Sequence, residues 1–154
     1  MSLGDQLRNN IQVRKEAKAA ANRLKNRQAQ AEFERRQAIA ATFFEKAKAQ
    51  FTEKIQGGAV PSDLRIQVGG HLYTSHLIDT HTEFAKIFDG YSHITTDTPK
   101  GRQPQPKSLH TEYAQLWGDF QLWAQSNGLV AHWEPAWDGG GMDSWWILVV
   151  FPAP

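Results

Sequence analysis

An α+β fold follows from three features of this 154-residue chain. The stretch from Gln6 to Gln56 contains neither proline nor glycine, the two residues that break helices. Beyond it, two pairs of short apolar runs are each joined by glycines, as hairpins are. Between those pairs lie two segments with helical apolar spacing. The predicted order is one long helix, two strands, two helices and two strands. Two hairpins then form a small antiparallel sheet packed with the helices.

The first element divides the chain into a long basic helical arm, residues 1–56, and an α+β body, residues 57–154. Ala, Lys, Arg, Gln and Glu dominate the arm, and all are strong helix formers. Its second half carries Phe33, Ala40, Phe43, Phe44, Ala47, Phe51 and Ile55 mostly at three- and four-residue steps. Such a stripe should pack on the body. The first half is poorer, with Leu3, Leu7, Ile11 and Leu24 among alanines at Ala17, Ala19, Ala20, Ala21, Ala29 and Ala31. Arg14, Lys18, Lys25, Gln28 and Arg35 interrupt its heptad registers, so no self-sufficient leucine zipper is expected. A polar helix gains most of its stability from packing, and this half is expected to be ordered in an assembly.

Gly57-Gly58 should end the helix, with Pro61 securing the break. Leu64 to Val68 and His71 to Thr74, either side of Gly69-Gly70, read as the first hairpin. Thr80 and Glu83 have capping-box spacing, which would open a short helix with Phe84, Ile87 and Phe88 inward. Tyr91 to Lys107, with Pro99, Gly101, Pro104 and Pro106, reads as a long loop. Ser108 should cap an amphipathic helix holding Leu109, Tyr113, Leu116, Trp117, Phe120, Trp123 and Ala124 on one face, ended by Asn127-Gly128. Leu129–Glu134 and Ser144–Phe151 are the last two strands. The second is apolar on both faces and so central or covered.

Charge is divided as sharply as structure. Residues 1–56 hold 12 Lys/Arg against 6 Asp/Glu, and residues 57–154 hold 5 against 10. A net charge of only +1 therefore conceals a dipolar chain. That asymmetry suggests polyanion binding or head-to-tail association. The candidate contact residues are Arg8, Arg14, Lys15, Lys18, Arg23, Lys25 and Arg27, with Lys100, Arg102 and Lys107 of the loop as a second surface. The plain alternative is a solvated helix with intrahelical pairs such as Glu32–Arg36. No aromatic residue is interleaved among the arm cations to stack on bases.

Catalytic signals are weak. His71, His76 and His81 are spaced by five, near Asp79, Glu83 and His93, and that spacing scatters donors a zinc ion would need together. Dinucleotide, phosphate-loop and H-E-x-x-H patterns are absent, so no cofactor, metal site or catalytic residue is expected. With no cysteine there is no disulfide framework or thiol nucleophile. The most unusual stretch is Trp133, Trp137, Asp138, Gly139, Gly140, Gly141, Asp143 and Trp145, whose glycines suit a turn and whose rings could anchor a partner. No apolar segment resembles a signal or a membrane span, which leads to the expectation of a soluble, cytoplasmic chain.

These features point to a non-enzymatic interaction or assembly protein, a subunit of a homo-oligomer or of a larger complex of viral or phage type. Its partners would be itself or another protein. The alternative is an RNA- or DNA-binding accessory protein using residues 8–36. A small-ligand binder or metal-dependent enzyme comes third.

Overall fold

The computed structural model describes residues 2–69, 79–137 and 144–154, and of residues 79–82, 136–137 and 144–145 the backbone alone. In chain order the elements are α1 (Leu3–Gln56), β1 (Arg65–Val68), α2 (Asp79–Ile87), β2 (His93–Thr98), β3 (Gly101–Pro106), α3 (Ala114–Ser126), β4 (Leu129–Trp137) and β5 (Ser144–Pro152). Short 3-10 turns occur at Pro61–Asp63 and Lys107–His110. The class is α+β with a long N-terminal helix and antiparallel sheets.

The chain divides into two compact units, residues 1–36 and residues 37–154. The first is helical from Leu3 onward and exposed at residues 2–35. The second begins within α1, whose residues Ala40, Phe43, Phe44, Ala47 and Phe51 are buried in its core. The two ends of the expected stripe, Phe33 and Ile55, are exposed instead. α1 ends in a Schellman arrangement: the Ala59 N–H donates to the Lys54 carbonyl at 2.9 Å, while Gly58 takes a φ of 95° that a side chain would resist.

The main sheet has the order β1-β5-β4, all antiparallel, with Leu148 of β5 paired to Ile66 on one side and Trp133 on the other. β5 is thus the central strand that its apolar composition predicts. One face of the sheet supplies Ile66, Val68, Trp133, Trp146, Leu148 and Val150 to the core. Aromatic rings join that face to the helices. Phe43 stacks on Phe84 at 4.5 Å, Phe88 on Trp133 at 5.5 Å, and Trp117 on Phe120 at 5.8 Å.

Three local expectations are corrected. The segment Tyr91 to Lys107 is a second, two-stranded sheet rather than a loop. Its prolines are tolerated because antiparallel pairing alternates. The Lys107 N–H donates to the Ser92 carbonyl, so Pro106 and Pro104 fall at positions where no donor is required. Pro99 and Lys100 make the turn, with Gly101 at a φ of 99°. Secondly, Ser108 and Leu109 lie in a 3-10 turn and α3 starts only at Ala114, although Leu109 and Tyr113 are still buried. Thirdly, α2 starts at Asp79, one residue before the expected cap Thr80. β1 pairs with β5. Its expected hairpin partner, His71–Thr74, lies outside the described residues.

Candidate interaction surfaces

The basic segment, residues 2–36, carries nine Lys/Arg against four Asp/Glu. Arg8 pairs within the helix with Asp5 at 3.1 Å, and Arg35 with Glu32 at 2.7 Å. The Arg35 hydrogen bond holds the Glu32 carboxyl below its usual range, and the charges of Arg35 and Arg36 add to it. Arg14, Lys15, Lys18, Arg23, Lys25 and Arg27 form no ion pair among the described residues. Glu16, the one carboxylate between Arg14 and Ala31, accepts from Gln12 at 2.9 Å.

At 100° per residue the segment has two unlike faces. Arg14, Lys15, Lys18 and Lys25 fall on one side. Val13, Ala17, Ala20, Leu24 and Ala31 fall on the other, in steps of four and three interrupted only at Arg27. Val13 and Leu24 on this second side are more than half exposed, as are Leu3, Leu7 and Ile11, which fall on the side of the cations but ahead of Arg14.

The cations expected on the loop are differently employed. Lys100 binds Glu134 at 3.0 Å and sits over the Phe151 ring at 5.1 Å, and Arg102 faces Asp97 at 3.5 Å. Lys107 lies near enough to Asp89 to lower its pKa, behind the larger effect of hydrogen bonding from Ser92. The turn of the β2–β3 hairpin is therefore tied to β4, not held out as a cationic patch. A second tie lies at Gln105, whose side-chain amide donates to the Trp133 carbonyl at 2.6 Å and accepts from the Trp133 N–H at 3.2 Å. One side chain thus pairs β4 as a neighbouring strand would.

Beside this tie is a small polar cleft. Thr96, Thr98, His110, Gln121 and His132 line a cavity of about 40 Å³, room for one or two waters. His132 is 2% exposed; its Nε2 lies 3.4 Å from Glu134 Oε1, and its Nδ1 has no hydrogen-bond partner among the described residues. Burial, with Lys100 adding to it, pushes the His132 pKa down against the pull of Glu134, and burial alone lowers that of His110. Burial would raise the Glu134 carboxyl, but the Lys100 hydrogen bond and the Lys100, Arg65 and His132 charges outweigh it and hold it low. Sequence reasoning sought histidines near residue 76 and passed over His132. The available signal was its two-residue offset from Glu134, which puts both on one face of β4.

The aromatic surface expected around the glycine-rich turn is only partly described. Trp133 is completely buried in the core, since its ring points to the helix-covered face of the sheet, and it is no surface anchor. Trp137 ends β4 and Trp145 lies in β5, each described in backbone alone. Asp138, Gly139, Gly140, Gly141 and Asp143 lie outside the described residues, as do His71 and His76. His93 begins β2, and Asp79 and His81 lie in α2, described in backbone alone.

Among the described residues, no three His, Asp or Glu side chains converge as a metal ion would need, and no helix is long and apolar enough to cross a membrane. No protein-family model, curated protein or solved structure matches this chain.

Proposed function

We propose that this protein is a non-enzymatic assembly subunit that associates with further copies of itself through its N-terminal helical segment. The observation that carries this reading is the exposure of residues 2–35 along a continuous helix, with Val13 and Leu24 uncovered on a face whose other members are Ala17, Ala20, Ala31 and Arg27. Helices of mainly polar composition are stable when an apolar face is covered. Small side chains on that face let two helices approach closely, while the cations of the opposite face remain in solvent. The chain also separates a basic N-terminal part from an acidic remainder, which favours ordered contacts between copies.

The test is light scattering behind size exclusion on the intact chain and on the V13E/L24E variant. The intact protein is expected at a multiple of 17.4 kDa, and the variant at a smaller mass. Carboxylates at both positions would be buried without partners in the paired helices. An intact chain that runs as a monomer, or a variant of unchanged mass, overturns the reading.

A further inference from the structure

We infer that the cationic face of the same segment, Arg14, Lys15, Lys18 and Lys25, binds the phosphodiester backbone of duplex nucleic acid without reading its sequence. The inference rests on this segment being an interaction element, but it uses the side opposite Val13 and Leu24. Three observations carry it.

The first is that these four cations, with Arg23 and Arg27, are exposed and have no ion-pair partner among the described residues, whereas Arg8 and Arg35 do. The second is the length of single-sign charge. Between Arg14 and Ala31 there is one carboxylate, Glu16, and from Ala17 to Ala31 there is none. At a rise of 1.5 Å per residue, Arg14 to Lys25 spans about 16 Å, over which a duplex presents roughly ten phosphates. Protein surfaces mix both signs over such a distance, but a nucleic-acid backbone does not. The third is what the face lacks. Residues 2–32 include no aromatic side chain, and lysine-rich surface without aromatic anchors is poor material for the core of a protein–protein contact. It is sufficient for phosphates. The missing rings also exclude base stacking, which directs the face to paired rather than single strands.

The experiment is fluorescence anisotropy of a labelled 20-base-pair DNA duplex, and of the same sequence as duplex RNA, titrated with the intact chain. If the four cations each neutralise one phosphate, log K falls against log salt with a slope of about −3.6, so affinity drops roughly a hundredfold between 50 and 200 mM salt. Two variants of equal charge locate the face. K15Q/K18Q should lose most of the affinity and about two units of slope, while R23Q/R27Q, whose cations lie round the helix from Lys18, should lose under about threefold.

Binding to both duplexes with that pattern supports a shared backbone chemistry, and preference for one of them assigns the source. Absence of binding at low salt, a salt-independent affinity, or equal losses in the two variants overturns the inference. So does tighter binding of polyglutamate, which would make the partner an acidic polypeptide. Light scattering on the same samples separates this failure from failure of the assembly reading. Duplex binding lost in K15Q/K18Q at unchanged mass isolates the cationic face. Loss of mass in V13E/L24E without any duplex binding leaves assembly standing and removes the nucleic acid.

Discussion

Trp133 and Trp146 are both wholly buried, yet they differ in one hydrogen bond. The Trp146 indole N–H donates to the Gly90 carbonyl at 3.0 Å, while that of Trp133 has no partner among the described residues. Replacing either by Phe removes similar volume, but W146F also strands a carbonyl. W146F should therefore cost about 1–2 kcal/mol more than W133F in urea denaturation. His132 makes a second residue-scale prediction. Its pKa is lowered in the folded chain, so the unfolded chain takes up the proton first as pH falls below the ordinary histidine value of 6.5. Stability is full above that value and declines as pH drops toward the folded pKa. His110 acts in the same direction, and Glu134 adds loss only at lower pH, below the ordinary glutamate value of 4.5. Denaturation midpoints recorded between neutral and mildly acid pH should fall less steeply for H132Q than for the parent, and an unchanged slope would remove His132 from the explanation.

Within elements, the second half of α1 and the β2–β3 hairpin are held by different forces. Phe43 contacts Phe44, Phe84 and Trp133 as one buried ring cluster, so F43A should cost about 3–5 kcal/mol, whereas F33A, at an exposed position, should change stability by less than about 0.5 kcal/mol. The hairpin depends on Gln105. Q105A leaves both the N–H and the carbonyl of Trp133 without that partner in a buried place, and should cost about 2–4 kcal/mol. Hydrogen exchange at the Trp133 amide, faster in the variant than in the parent, would report the loss where it occurs. The helix stripe was legible in advance because three- and four-residue spacing is a local pattern that burial then obeys. The hairpin was not, because prolines were read as breakers without knowing which positions of the ladder need a donor.

For the molecule as a whole, the buried cluster belongs to residues 37–154. A chain lacking residues 2–36 should keep the denaturation midpoint and the aromatic circular dichroism of the parent, measured in dilute solution, and lose only helical signal. A large fall in midpoint would show that the N-terminal helix contributes to the stability of the rest. The charge division follows the same partition, with nine Lys/Arg against four Asp/Glu before Gln37 and eight against twelve after it.

Composition and spacing alone determine where α1 runs, which of its faces enters the core from Ala40 to Phe51 and how charge is divided, because each depends on neighbours a few residues away, whereas the exposure of Phe33 and Ile55 at the ends of that stripe was set by how far the body reaches along it. The same holds for the last two strands and for the apolar face of α3. Pairing decided the rest. β1 finds its partner in β5, more than seventy-five residues later, and Gln105 finds Trp133 across a gap of 28. The burial of Trp133 and the enclosure of His132 follow from those pairings. A side chain's surroundings are set by which distant strand lies beside it, and no local period in the chain encodes that choice.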